Sequence, residues 1–477
     1  MPPARTGVAT CSAGLVSALR TEYEIDVFVD KAQPPTPTSQ LPNSSGRLAV
    51  GGGEFVKDAH DFPWEHRLRP YDLTVYQLGN SSWHDYQWPY LFRFPGLVVL
   101  HDAHLHHARA AALLRGARAD DYRQEFTAAH PEASPDLAEL AVAGFDTHLY
   151  YAWPLTRLVV EASRLTVVHT PLLAEALRAA SPRAAIDAIR LGHGRRIGTD
   201  EAATAAIRVR ERHAIPGDAT VFGVFGGLTP EKRVPQVLEA FAAMLPHHPD
   251  ARLLLAGAPA RHYDVVADIE RLGIAAHTTV TGYVDDDEGF DEYVAACDVS
   301  INLRWPTARE VSGPWLRALA AGRPTITTDL AHMAGVPALD PRTWQPHVKT
   351  GTLNFSLTVD PGRDREPGSS VSEKLSVPVF TVAIDILDED HSLRLAMRRL
   401  AGDAELRATL GRAGAAYWEQ HHSPERMAED YRRVIARALE SPIPSRDLPA
   451  HLRADGSARL AQLLEPFGLP GDVWSRI

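Results

Sequence analysis

The residues of this chain best suited to binding or moving charge fall in four short stretches, three of them where an apolar run ends. Between Ala296 and Asp329 the strand-like run ACDVSINL leads into a loop bearing Arg304, Arg309 and Glu310. A short helix then opens at Ser312-Gly313-Pro314 and closes at Gly322, with a capping hydroxyl, an early proline and a terminal glycine as its signals. The start of such a helix attracts anions, because its first amides lack intrahelical acceptors and the dipole end is positive. A phosphate-bearing ligand is the chemistry this predicts. Arg317, one turn inside, reads either as a solvated arginine or as a partner for Glu310.

The second stretch is FGGLTPEKR, Phe225 to Arg233, directly after the apolar run ATVFGVF. Gly226 and Gly227 let backbone approach an anion closely, and Lys232 with Arg233 supplies cations that could clamp a diphosphate. Alone, this reads as a glycine turn before a solvated Lys-Arg pair. The third is HDAHLHH, His101 to His107, at the end of GLVVL. His101, beside Asp102, is a candidate for catalysis or hydrogen bonding, and His104, His106 and His107 for a helix surface or an acceptor pocket. The spacing His-x-x-His-x-His-His matches no familiar metallohydrolase arrangement, so no metal site is assigned. The fourth is PPARTGVA near the N-terminus, where Gly7 could bring backbone close to a ligand. After the run YDLTVY come Asn80 and His84, again at a strand end.

These stretches need a scaffold of alternating strands and helices. YEIDVFV, YDLTVYQL, GLVVLHD and RLTVVHT recur between helical patterns through residue 195, as βα units do. The pattern restarts with ATVFGVFGGL, a helix from Val234 to Leu245, ARLLLAGA and TTVTGYV. Two doubly wound halves are expected, residues 1–195 and 196–422, with a ligand cleft between them. The joint falls near LGHGRRIGTDE. Residues 347–377, rich in Pro, Gly, Ser and charge, read as a flexible insertion. Helical patterns run from Ser392 to His422 and from Glu425 to Glu440. The helix over 423–440 is expected to pack back toward the first half, and residues 441–477 form a linker and a short amphipathic tail.

Bulk properties narrow the class. A chain of 477 residues exceeds a single core, and a net charge of −11 argues against nucleic-acid binding. Two cysteines, Cys11 and Cys297, read as packing residues in a reducing compartment. No run approaches the ~18 apolar residues of a membrane span, and no signal-peptide pattern opens the chain. A cytoplasmic location follows as an expectation, with peripheral membrane contact left open.

Taken in order, PPARTGVA, YQLGN, LHDAHLHH, FGGLTPEKR, TGYV and PTAREVSGPWLRALAAGRPTITTD resemble the GT-B fold of retaining, nucleotide-sugar-dependent glycosyltransferases of family four, also called glycosyl transferase group 1. The resemblance spans about residues 1–440. It implies that Lys232 grips the donor diphosphate, that Glu310 contacts the transferred sugar and that Ser312-Gly313 meets sugar and phosphate. It also implies that His101 lies near the reacting sugar, that Tyr283 and Val284 line the nucleobase pocket and that Gly7 sits near the donor phosphates. The chain departs from the family pattern twice. The usual arginine five residues before the lysine falls on Gly227, with Arg304 or Arg233 as substitutes. Arg317 stands where a second, ribose-binding glutamate is usual, as in a similar bacterial branch with Glu-x-Ser followed by Arg-Ala-Leu.

The function this implies is retaining transfer of a sugar from a nucleotide diphosphate sugar to a hydroxyl acceptor in polysaccharide or glycoconjugate assembly. The acceptor is a glycan, a lipid-linked sugar or a small molecule, approached past Asn80, His84, Asp102 and His106, and no cofactor beyond the donor is required. Two rivals stand beside it: a GT-B-like scaffold that has lost turnover, and a metal-dependent hydrolase centred on His101 to His107.

Overall fold

The computed structural model describes residues 7–30, 56–145, 149–284, 287–347, 378–454 and 457–468. Most of PPARTGVA (residues 2–6), the insertion from 348 to 377 and the end of the tail from 469 lie outside them. The chain is mixed α/β and divides into two compact units, Met1–Ile189 with Ala308–Val311 and Ala428–Ile477, and Arg190–Thr307 with Ser312–Met427. No helix among the described residues is long and apolar enough to cross a membrane.

In the first unit, β1 (Val27–Val29) and β2 (Val56–Asp58) form a parallel pair. β3 (Val75–Leu78), β4 (Leu97–Leu100), β5 (Leu165–Val168) and β6 (Ile186–Ala188) form a parallel sheet in that order. Every residue of β4 and β5 is buried, as continuous apolar runs are when helices cover both sheet faces. Tyr122, Phe126, Leu113 and Leu158 fill the core against Val98 and Leu100. Register decides what leaves the sheet together. Leu78 pairs with Leu100 and Val99 with Val167, so Gly79, His101 and His169 emerge side by side at the carboxyl edge.

Part of the C-terminal helix Pro424–Glu440 belongs to this unit. Residues 441–449 hold no helix or strand, yet they are anchored. Arg446 donates to the Arg157 carbonyl at 3.1 Å and pairs with Glu161. Leu448 and Leu452 pack on the core, and His451 Nε2 lies 2.8 Å from the buried Glu125, which also accepts two bonds from Arg109.

The second unit is built on an eight-stranded sheet. Its strands are β7 (Val221–Phe225), β8 (Arg252–Ala256), β9 (Thr278–Val280), β10 (Val299–Asn302), β11 (Thr325–Thr328), β12 (Ala338–Leu339), β13 (Pro346–His347) and β14 (Thr381–Ile384). The order is β13-β12-β14-β11-β10-β7-β8-β9, parallel except between β12 and β13. The chain runs outward from β7 through β8 to β9, then crosses to β10 and continues the other way. That reversal between β7 and β10 is the switch point at which open parallel sheets present a ligand crevice. Phe222, Phe241, Leu253, Leu255, Ile326 and Val382 form the core beneath it.

The stretch expected to be helical from Ser392 to His422 is two helices, Glu389–Gly402 and Ala404–His421. Asp403 divides them because its carboxylate accepts the Leu406 amide at 2.9 Å, starting a new helix in place of continuing the old one. Cys297 is buried and its thiol is pushed up by that burial, consistent with packing. Neither it nor Cys11 is in a disulfide.

Candidate functional site

In the second unit the switch point gathers the predicted anion-binding groups. Gly226 leaves β7 with φ +80°, a left-handed conformation that favours glycine. A β-carbon there would lie 2.6 Å from Lys232 Nζ and 3.8 Å from Pro314 Cγ, so the glycine turn, the lysine and the helix start converge on one spot. Lys232 closes a short helical turn capped by Thr229, and its ammonium donates to the Phe225 carbonyl at 2.7 Å. The turn is also pressed against β8. A β-carbon on Gly257 would sit 2.0 Å from the Gly226 carbonyl oxygen. Gly227 is exposed, with only Thr229 Cγ2 at 4.0 Å from where its β-carbon would be.

The helix Gly313–Ala320 starts as the sequence predicts. Ser312 caps it by accepting the Trp315 amide at 3.4 Å, and Pro314 occupies the first turn. Trp315 Nε1 reaches Thr325 Oγ1 at 3.2 Å, tying this helix start to β11. Gly313 faces His193, whose ring carbon Cδ2 and nitrogen Nε2 would be 3.0 and 3.2 Å from an added β-carbon. His193 is buried, and its backbone is fixed at both ends by His422 and by the Trp418 indole. Arg304 is anchored through its amide to Thr328 Oγ1 at 2.9 Å.

Two predicted donor residues, Arg233 and Arg317, are engaged in ion pairs. The Arg233 guanidinium spans the Glu389 carboxylate, with Nε at 2.8 and 3.0 Å from its two oxygens, so this charge braces the turn against helix Glu389–Gly402. Arg317 is buried, donates to Asp291 Oδ1 at 2.8 Å and lies over the Phe290 ring at 4.6 Å. Asp291 also meets Arg195 at 3.3 Å. Tyr283 is exposed while Val284 packs on the smaller core cluster of this unit. Gly7 begins helix Gly7–Leu19 with open space around its α-carbon.

In the first unit the strand ends form a polar cluster. Asn80 and Asp102 are locked together: the Asn80 amide donates to Asp102 Oδ2 at 2.6 Å, while Asn80 Oδ1 accepts the Ala108 amide at 2.9 Å. The turn around His101 is held to Ala308–Val311, because the amides of Ala103 and His104 both donate to the Ala308 carbonyl. That segment brings Arg309, at φ +61°, and Glu310 into this unit.

His101 is held on both sides of its ring. Nε2 lies 2.7 Å from Gln77 Oε1 and Nδ1 lies 3.1 Å from His169 Nε2. His84 and His106 are structural. His84 Nδ1 bonds the Gln77 carbonyl at 2.8 Å, and burial pulls its pKa down to about 4. His106 bonds the Trp153 carbonyl and the Tyr122 hydroxyl, and burial takes it to about 3. Both rings are neutral at physiological pH. Among the described residues no group of three or more His, Cys, Asp or Glu is arranged to hold a metal ion. The helix that carries His106 inward turns His107 out to solvent.

Sequence reasoning missed Gln77, His169, His193, Asp291 and Tyr431. His169 had a signal: RLTVVHT places a histidine one residue past a four-residue buried strand, as GLVVLHD does for His101. Gln77 and Tyr431 are polar interruptions of apolar patterns and carry no local signal.

Residues 219–341 match the family described as Glycosyl transferases group 1. They contain the Gly226 turn, Lys232 and the helix start at Ser312. The fold is similar to that of sucrose-phosphate synthase from Thermosynechococcus elongatus, at 16% identity over 90% of this chain and 94% of that one, with a TM-score of 0.54. It is also similar to that of WaaG, a glycosyltransferase involved in lipopolysaccharide biosynthesis, at 14% identity over 89% and 95% of the two chains, with a TM-score of 0.51. A search of curated proteins finds no significant match. The class is thus the GT-B fold that these two structures share, with the match to glycosyl transferases group 1 confined to residues 219–341.

Proposed function

We propose that this chain transfers a sugar from a nucleoside diphosphate sugar to a hydroxyl acceptor with retention at the anomeric carbon, in polysaccharide or glycoconjugate assembly. One observation carries the reading: Gly226, Lys232 and the start of helix Gly313–Ala320 converge at the β7/β10 switch point. A glycine turn, an ammonium and a positive helix end in one place suit a diphosphate.

The reaction breaks the bond from the anomeric carbon to the diphosphate oxygen and forms one to the acceptor oxygen on the same face. The acceptor proton passes to the departing phosphate. Such a step stabilises an oxocarbenium-like sugar and a leaving dianion, both electrostatic tasks. Lys232 and the helix start meet the leaving charge, Glu310 faces the developing positive sugar, and His101 donates a hydrogen bond to a sugar oxygen. With the diphosphate charge met by these groups, we read the reaction as metal-independent. Cys11 and Cys297, neither in a disulfide, suit a cytoplasmic setting.

The test is donor turnover by purified protein across uridine, guanosine, adenosine and thymidine diphosphate sugars, with chelator present and absent. Lys232→Ala and Glu310→Ala should each lower kcat/KM by roughly 100-fold or more, as loss of a charged transition-state contact does. Transfer left intact in both variants would remove the assignment.

A further inference from the structure

His101 is an interior member of a four-residue hydrogen-bonded chain, Tyr431–Gln77–His101–His169, that fixes which of its nitrogens carries the proton. β4 and β5 deliver His101 and His169 side by side, β3 places Gln77 opposite Val99, two residues before His101, and the C-terminal helix delivers Tyr431. Gln77 Nε2 donates to the Tyr431 hydroxyl at 3.2 Å, which turns Gln77 Oε1 toward His101 Nε2 at 2.7 Å. The Gln77 backbone is held too, its carbonyl accepting from Gln87 Nε2 at 2.9 Å. An amide oxygen only accepts, so His101 Nε2 must carry a hydrogen. A neutral imidazole then has its lone pair on Nδ1, and His169 Nε2 lies 3.1 Å from that atom with the rings 4.9 Å apart. His169 is buried and Tyr431 almost wholly so, which excludes the water that would otherwise compete for these atoms.

We propose that His169 is a positioning residue that holds His101 in the Nε2–H tautomer, with Gln77 and Tyr431 as the opposite anchor. The proposal rests on the transferase reading for its functional half. His101 then meets the sugar as a hydrogen-bond donor and not as a base, because its one lone pair is occupied by His169. An incoming sugar oxygen takes the Nε2–H in place of Gln77 Oε1, which keeps the Tyr431 hydroxyl 3.4 Å away as a partner. No proton leaves His101 in this exchange. The acceptor proton must therefore go elsewhere, as it does when the leaving phosphate takes it.

Full-length protein labelled with 15N-histidine tests this directly, since long-range proton–nitrogen spectra distinguish the two tautomers. The His101 signals are identified by their loss in His101→Gln. The expected result is an Nε2–H pattern for His101 in the wild type and in His169→Gln, whose amide N–H can replace the imidazole donor. In His169→Leu only the Gln77 anchor remains, so the Nε2–H pattern should weaken toward a mixture of the two tautomers, and kcat/KM for sugar transfer should fall roughly 10- to 100-fold, mostly in kcat, as when one well-placed hydrogen bond is lost. His169→Gln should restore most of the loss.

An Nδ1–H pattern in the wild type overturns the proposal, as does a His169→Leu variant with unchanged tautomer and unchanged kcat/KM. Should His169→Leu fail to fold, the wild-type and His169→Gln spectra still decide. The spectra need no turnover, so failure of the tautomer is distinguishable from failure of the transferase reading, which would show as full activity in His101→Gln.

Discussion

Replacing Gly226 by alanine perturbs the centre of the donor-side cluster at a single atom. Two effects oppose folding of the variant. At φ +80° a β-carbon meets the left-handed penalty, about 1–2 kcal/mol. The same atom sits 2.6 Å from Lys232 Nζ, so the ammonium must leave the Phe225 carbonyl it bonds at 2.7 Å, at about 1 kcal/mol for a bond that water partly replaces. Reduced freedom of the unfolded chain returns roughly 0.4–1 kcal/mol. The net loss is about 1–3 kcal/mol. A compact unit of about 150–250 residues then melts roughly 2–10 °C lower. Calorimetry on the wild type, Gly226→Ala and Gly227→Ala reads this, because Gly227 has open space and no positive φ, and its alanine variant should stay within about 0.5 kcal/mol of wild type. Combining Gly226→Ala with Lys232→Ala separates the two causes: the steric part vanishes when the lysine is absent, giving about 0.5–1 kcal/mol of coupling. Equal melting of both glycine variants, or strict additivity with Lys232→Ala, would refute the geometry.

Two further predictions follow from buried charge. His106 has its folded pKa depressed to about 3, below an unfolded value near 6.5. The unfolded chain therefore binds more protons in this window, and stability present above pH ~6.5 is lost as pH falls. Urea unfolding at pH 7 and pH 5 should show a decrease that shrinks by up to about 2 kcal/mol in His106→Gln, and an unchanged decrease would mean that His106 does not stay neutral. Glu389→Ala should destabilise by about 2–4 kcal/mol, because it strands the Arg233 guanidinium against helix Glu389–Gly402. The variant Glu389→Gln, retaining an acceptor, should lose less, and equal losses would mean that packing and not the ion pair braces the turn.

How far the sequence discloses this molecule depends on the sequence range of each interaction. The helix start at Ser312 was legible because cap, proline and terminal glycine lie within eleven residues of one another in the chain, and the Gly226 turn because it follows an unbroken apolar strand. His101 was legible as a residue leaving such a strand. Its environment was not, since Gln77, His169 and Tyr431 reach it by strand register and by a helix far along the chain. That Arg317 is buried against Asp291 was not legible, because Asp291 packs beside it from helix Asp287–Ala296 and belongs to no motif. The same holds for Arg233: its neighbour Lys232 reaches a carbonyl seven residues back, whereas Arg233 is claimed by Glu389, for which no local pattern speaks. The split at Asp403 shows the reverse case, a local cap hidden inside a pattern whose apolar period runs straight through it.

The contact between Gly226 and Gly257 has a consequence for how this sequence can change over time. Every replacement for glycine adds a β-carbon, and at position 257 that atom would meet the Gly226 carbonyl oxygen at 2.0 Å, on main chain that cannot swing aside. Position 226 is closed by its own dihedral angle. Replacement meets main chain at 257 and carries a conformational cost at 226, so drift that erodes identity elsewhere should leave both in place. Two glycines just past the ends of adjacent strands are then a landmark by which distant relatives can be aligned when little else in the sequence survives.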